Sequence, residues 1–224
     1  VRWSLAKQGL SHLDLTDIYI SHLHADHIGG LEYVGFQTKF DPRCERPRLC
    51  VEASLAGPLW NHSLRGGMGV ITGMETTLET FFDVRIVTAN QPFEWEGARL
   101  EPVPALHVSG RHESVHSYGL LIEHDGHRTL LTTDTQFTPS RLSSHYNTAD
   151  LIFHDCEIAQ AKTGVHAGFE DLTRLPESVR AKIWLYGYQS VPLPDAVARG
   201  FRGFVRAGQS FDLVKSHALP DVVE

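Results

Sequence analysis

The run His22-Leu23-His24-Ala25-Asp26-His27 constrains this chain more than any other stretch. It places four metal-ligating side chains within six positions, directly after Ile18-Tyr19-Ile20, a β-branched and aromatic segment that reads as a strand. Gly29-Gly30 follows as a turn. A loop at the carboxyl end of a strand can aim several side chains at one point. His22 and His24, at i and i+2, can share one metal ion, and Asp26 and His27 can reach a second one nearby. Imidazole and carboxylate together suit zinc, and also manganese or iron.

Composition supports following that lead. The chain has 14 histidines, many of them beside Asp or Gly rather than inside apolar periodic runs. Its 224 residues, 42% hydrophobic and 21% charged, are expected to form a single domain over residues 1–224. A net charge of -7 argues against a broad basic surface for nucleic acid. Cys44, Cys50 and Cys156 are odd in number and lack CxxC spacing, so reduced free thiols in a cytoplasmic protein are expected rather than a disulfide framework or zinc ribbon. The chain carries no apolar run of membrane-spanning length and opens without a signal-peptide pattern.

Along the chain, residues 2–10 suggest a short helix and residues 31–36 the start of a connecting one. Leu49-Cys50-Val51 reads as a buried strand, residues 54–65 as weakly helical, and Gly66-Gly67-Met68-Gly69 as a flexible turn. Short strands are expected at residues 84–87, 99–103, 118–123 and 129–133, the last two joined by an Asp125-Gly126 hairpin turn. Further strands are expected at 151–154 and 182–186, with helical patches between 169 and 181 broken by Pro176. The sum is a mixed α/β domain.

The string HLHADH followed by IGGL resembles the signature motif of the metallo-β-lactamase superfamily. The resemblance implies an αββα sandwich with two metals at one edge of the sheets. It also implies further ligands downstream. His107, after Leu100-Glu101-Pro102-Val103-Pro104, matches a ligand in a loop after a strand, with His112 as runner-up and His116 as a structural residue. Asp134, in Leu130-Leu131-Thr132-Thr133-Asp134, matches the carboxylate that bridges both metals. The segment Phe153-His154-Asp155-Cys156-Glu157 and the later Gly164-Val165-His166-Ala167-Gly168 resemble the tRNase Z and phosphodiesterase branch, in which an acidic residue and a histidine act as a relay at the scissile phosphate. The resemblance implies that role for Asp155 and His166.

Two departures accompany the resemblance. Where relatives place a final histidine ligand, this chain has Gly187 in Leu185-Tyr186-Gly187-Tyr188, which leaves the second metal short of a donor. The chain also opens near the first helix of the family pattern, without the strands that usually precede it. Either the sheet is completed differently, or an edge strand left open in this way would favour a partner chain, such as a second copy in a homodimer.

The resemblance implies a metal-dependent hydrolase with His22, His24, Asp26, His27, His107 and Asp134 as ligands for one or two zinc ions, or for manganese or iron. Asp26 would also orient a metal-activated hydroxide. The stretch between His107 and Asp134 has no room for the arm with which tRNase Z clasps tRNA, and the negative charge disfavours a large RNA. A small phosphodiester or cyclic nucleotide is the expected substrate. An arylsulfatase or lactonase, or a non-catalytic relative with a degenerate second site, are the alternatives. Residues 37–93 hold Arg43, Arg46, Arg48, Trp60, His62 and Arg65, which could contact an anion or a base or simply form surface.

Overall fold

A computed structural model describes residues 1–219. The chain divides into two compact units, Val1–Thr88 and the segment from Ala89 onward.

The first unit is built on three parallel strands in the order β1 (Asp17–Ile20), β2 (Arg48–Glu52), β3 (Asp83–Val87). The central strand has Leu49, Cys50 and Val51 at 2% exposure or less, the continuous apolar run that a strand covered on both faces requires. Helix Leu31–Phe40 buries Leu31, Val34, Gly35 and Thr38, spaced i, i+3, i+4, i+7, so one stripe of its surface faces the core. Gly35 is needed there: a Cβ at that position would stand 2.7 Å from Met68 and 3.1 Å from Phe82. Phe81 and Phe82, both fully buried, supply much of this core, each stabilising by about 1.5–3 kcal/mol on burial.

The expected turn at 66–69 is instead helical. Helix Ala53–Pro58 runs into a π-helical turn, Leu59–Leu64, and then helix Arg65–Met68. Pro58 lacks an N–H and so interrupts the i→i−4 ladder where the turn widens. Burial of Leu59, Leu64 and Met68 outweighs the conformational freedom of Gly66 and Gly67. The first expected helix is shorter than its sequence pattern, covering Arg2–Ala6.

The second unit carries a seven-stranded sheet. In chain order its strands are β4 (Phe93–Trp95), β5 (Ala98–Ser109), β6 (Ser114–His124), β7 (His127–Leu131), β8 (Leu151–Asp155), β9 (Ile183–Tyr186) and β10 (Gly203–Phe204). They lie side by side in that same order, antiparallel from β4 to β7 and parallel from β7 to β10. Asp125 and Gly126 have φ of 47° and 78°, which is the two-residue turn expected between β6 and β7. Pro102 and Pro104 sit on the part of β5 that β4 does not pair, where a missing N–H is tolerated. The sequence reading missed β4 and the helix Pro139–Thr148, which packs Leu142 and Tyr146 into the core with Leu130, Ile152 and Leu185.

No helix among the described residues is long and apolar enough to cross a membrane.

Candidate metal centre and active site

In the first unit, β1 ends at Ile20 and delivers Ser21 and His22 to its carboxyl end, where ligands gather in parallel sheets. His22 is buried. Its Nε2 faces His24 Nδ1 at 3.1 Å, and its Nδ1 lies 3.1 Å from Ser21 Oγ. The His27 ring sits 4.1 Å from that of His22, centre to centre, and its Nδ1 is 3.5 Å from the same hydroxyl. The helix Ala25–Ile28 starts immediately after His24, which turns Asp26 outward: its side chain is 78% exposed, with Oδ2 3.6 Å from His27 Nε2. The motif therefore brings its three imidazoles together and leaves Asp26 accessible to solvent.

In the second unit, three parallel strands present their carboxyl ends in a row. Asp134 follows β7, Asp155 ends β8, and Gly187 follows β9. His107 is not in a loop, contrary to the sequence expectation. It lies within β5, at a register shift between Leu106 and Val108 that marks a β-bulge. A bulge re-aims one side chain without ending the strand, which is why a loop was the natural reading of the sequence. His112 lies in the turn after β5 and His116 within β6; both are exposed.

His107 Nε2 is 3.8 Å from Asp134 Oδ2. One nitrogen each from His107 and His166 and one Asp134 oxygen lie within 4.8 Å of one another. His107 Nδ1 donates to the Val165 carbonyl at 2.9 Å. A carbonyl can only accept, so the proton is on Nδ1 and Nε2 carries the lone pair, as a metal ligand requires. This geometry and the nitrogen and oxygen donor set fit a divalent cation.

Thr133, just before Asp134, has φ of 54°, a rare conformation for a β-branched residue. The backbone is held there from several sides. Thr133 Oγ1 donates to the Thr132 carbonyl at 2.7 Å, Ser117 donates to the Asp134 carbonyl, and the Gln136 amide donates to the Leu106 carbonyl at 2.8 Å. Strain of this kind persists only where the surroundings over-determine it.

Asp155 is fully buried. Its Oδ2 accepts from His166 Nδ1 at 2.7 Å and from the Thr135 amide at 3.0 Å. The hydrogen bond to this carboxylate raises the pKa of His166 above the ordinary imidazole value, against the opposing effect of partial burial. Asp155 and His166 are thus a hydrogen-bonded pair. His154 belongs to the core instead. Its Nδ1 donates to the Asp155 carbonyl and Tyr146 OH donates to its Nε2, each at 2.7 Å, and burial lowers its pKa.

The sequence reading missed the groups that hold the His166 loop. Buried Glu157 accepts from the Thr163 amide at 3.0 Å, its own amide donates to the Ala167 carbonyl at 2.8 Å, and its carbonyl accepts from Phe169 N at 2.9 Å. An acidic residue amid apolar neighbours at 151–158 was the available signal.

The arginines of residues 37–93 are largely engaged. Arg43 binds Asp41 through two nitrogens, Arg46 donates to the Glu79 carbonyl at 2.6 Å, and Arg48 pairs with Asp17 at 2.9 Å. His12, Asp41 and Cys44 also offer ligand atoms within 4.8 Å of one another. There, however, both Asp41 oxygens are already taken by Arg43 and His12, and a guanidinium beside the carboxylate opposes a cation.

Known proteins share this organisation. The family model described as anti-Pycsar protein Apyc1 matches residues 1–211. Apyc1 of Paenibacillus harenae is 36% identical over 190 residues, covering 83% of this chain and 73% of the relative. Apyc1 of Bacillus phage vB_BsuM-Goe3 is 34% identical over 184 residues, covering 78% and 69%. Among solved structures, the metallo-β-lactamase fold protein YhfI of Bacillus subtilis superposes with a TM-score of 0.64 at 15% identity, covering 88% of this chain and 78% of YhfI. Unliganded yeast PDE1 superposes with a TM-score of 0.62 at 12% identity, covering 86% and 62%. At such identities the likeness is one of fold. The family match over nearly the whole described chain goes further: this protein belongs to the anti-Pycsar protein Apyc1 family and has the metallo-β-lactamase fold.

Proposed function

We propose that this chain is a metal-dependent phosphodiesterase acting on a small phosphodiester or a cyclic nucleotide. The observation that carries the reading is the Asp155–His166 pair, whose histidine falls in one cluster with His107 and Asp134. A hydrolase that only needed a nucleophile would have no use for a histidine whose pKa is raised by a buried carboxylate. A reaction with a poor alkoxide leaving group does need one.

The proposed metal ligands are His22, His24, Asp26 and His27 from the first unit and His107 and Asp134 from the second. When bound, a divalent cation on ligands of this kind lowers the pKa of water and offsets developing negative charge. The protein's own residues supply the rest. Asp155 fixes Nδ1 of His166, which leaves Nε2 to deliver a proton to the departing oxygen. Asp26, exposed beside His27, would orient the attacking water as well as bind metal.

A diphosphatase of the PhnP family and human short-form tRNase Z share the fold, and their names denote cleavage at phosphorus. The net charge of -7 favours the small substrate over RNA.

The test is turnover by the purified chain loaded with Zn(II) or Mn(II). Purine and pyrimidine 3′,5′-cyclic nucleotides and bis-para-nitrophenyl phosphate are expected to be cleaved, and a lactone and an aryl sulfate spared. Absence of phosphodiester cleavage with both cations overturns the reading. Cation binding without any turnover would favour a non-catalytic relative, the alternative that Gly187 supports.

A further inference from the structure

The turn after β7 holds two buried residues, Thr132 and Thr135, whose side chains the proposed chemistry does not use. β7 and β8 run parallel, with Leu131 opposite Phe153. One residue further on, the Thr132 amide donates to the Phe153 carbonyl at 3.0 Å, as a parallel ladder requires. The next rung of such a ladder would run from the Asp155 amide to the Thr132 carbonyl. Here a side chain takes the carbonyl's part. The Asp155 amide donates to the Thr132 hydroxyl at 3.0 Å, and that hydroxyl donates in turn to the Thr133 carbonyl at 3.0 Å. The Thr132 carbonyl accepts from the Thr133 hydroxyl at 2.7 Å, where the positive φ of Thr133 takes the chain out of the sheet. Two residues later the Thr135 amide holds Asp155 Oδ2. The turn that carries Asp134 thus grips Asp155 at two points, its amide and its carboxylate. The backbone at 132 has little room to shift. A Cβ at Gly119 on β6 would stand 2.6 Å from the Leu131 carbonyl oxygen and 2.9 Å from that of Thr132.

We infer that Thr132 is a positioning residue of the Asp155–His166 pair. Its hydroxyl stands in for the main-chain carbonyl that the turn draws out of the ladder, so β8 stays tied up to Asp155 while the chain departs toward Asp134. Two needs conflict at this point: Asp134 requires β7 to end, and Asp155 requires the pairing to continue. A hydroxyl reconciles them because it accepts and donates at once. Valine has nearly the same shape and no hydroxyl, so it would strip the Asp155 amide and the Thr133 carbonyl of these partners. With its backbone loosened, Asp155 no longer pins Nδ1 of His166, and the ring nitrogen that holds the proton is no longer fixed. The inference deepens the phosphodiesterase reading and rests on it only for its kinetic consequence.

The first measurement needs neither cation nor substrate. Long-range proton–nitrogen correlation spectra of the metal-free full chain, with imidazoles neutral, report the tautomer of His166, whose signals are assigned by their absence in His166→Ala. The parent and Thr132→Ser are expected to hold the proton on Nδ1, and Thr132→Val to give a mixture of tautomers. The second measurement is steady-state kinetics with Mn(II) present. Thr132→Val is expected to lower kcat on a cyclic nucleotide by about 10–100-fold, the scale on which a small misplacement acts. KM should stay within about threefold, as for a group that acts only in the transition state. The loss on bis-para-nitrophenyl phosphate should be much smaller, and adding Thr132→Val to His166→Ala should cost nothing further. Thr132→Ser should recover the parental rate. Circular dichroism confirms folding of each variant. If Thr132→Val does not fold, Thr132→Cys decides, since a thiol accepts only weakly: mixed tautomers are expected, and the parental pattern overturns the inference. A parent without the proton on Nδ1, a parental tautomer in Thr132→Val, equal losses on both substrates, or a full additional loss in the His166→Ala background also overturns it. Tautomer mixing in Thr132→Val with no phosphodiester turnover by the parent would sink the proposed activity and leave the role of Thr132 standing. Turnover by the parent with an unchanged tautomer in Thr132→Val would do the reverse.

Discussion

Asp155 and His166 meet at 2.7 Å, with the carboxylate fully buried and the imidazole only partly so. The carboxylate has few alternatives in this position, and the histidine keeps one nitrogen for chemistry.

The leaving group should reveal that arrangement. His166→Ala is expected to lower kcat on a cyclic nucleotide by about 10²–10⁴-fold, the usual contribution of a positioned general acid. Para-nitrophenolate needs no proton to depart, so the loss on bis-para-nitrophenyl phosphate should be much smaller. Steady-state kinetics on both substrates checks this, and equal losses would count against the acid role.

Cation binding should register as stability. With free cation at about 100 times its Kd, unfolding free energy rises by about 2.7 kcal/mol, or roughly 5–11 °C in Tm for a chain of this size. Calorimetric scans with EDTA and with Mn(II) would show the shift. His107→Gln should abolish most of it, because Val165 then orients a side chain without an imidazole nitrogen.

Thr133 should be a site where stability and activity oppose each other. Its φ of 54° costs of order 1 kcal/mol or more in a β-branched residue. Thr133→Gly is expected to relieve that strain, offset in part by the lost hydrogen bond to the Thr132 carbonyl. Activity should fall, because the neighbouring Asp134 is held less firmly. Urea unfolding and kinetics on the same preparation would measure both.

Removing the Tyr146 hydroxyl orphans Nε2 of buried His154. Tyr146→Phe is expected to cost about 1–3 kcal/mol in urea unfolding. Metal content should stay at the parental value.

Acid should weaken the first unit through Asp41. Hydrogen bonds from Arg43 chiefly, and from His12, hold its carboxyl well below the usual carboxylate range. The unfolded chain takes up that proton near pH 4, while the folded chain does not until the pH is lower. The contribution is therefore present above about pH 4 and lost as pH falls below it. Asp41→Asn should flatten that part of the stability profile, and added salt should shrink the difference, because the Arg43 partner is exposed.

The six-residue motif made the superfamily legible, because an ordinary surface loop has no need of four metal-ligating side chains in so short a span after a strand. The order of later residues then singled out His107, Asp134, Asp155 and His166, and within each unit the structure groups the residues that the sequence had nominated. Other features were not legible. The bulge that aims His107 depends on how β5 pairs with β6, and pairing register is a property of two strands rather than one. The helix at 65–68 forms because Leu59, Leu64 and Met68 find a core, which two glycines in a row conceal. The engagement of Arg43, Arg46 and Arg48 depends on partners that the chain brings back from elsewhere.

Gly187 marks the division most clearly. The sequence by itself determined that position 187 offers no side chain, since it is a glycine. Only the tertiary structure decided what lies beside that position, because Asp155 and Gly187 are 32 positions apart in the chain and meet only when β8 and β9 pair in parallel and end together. That pairing sets a buried, undonated carboxylate oxygen 2.8 Å from where a side chain would begin, a relationship set by sheet register and burial rather than by any local pattern of residues.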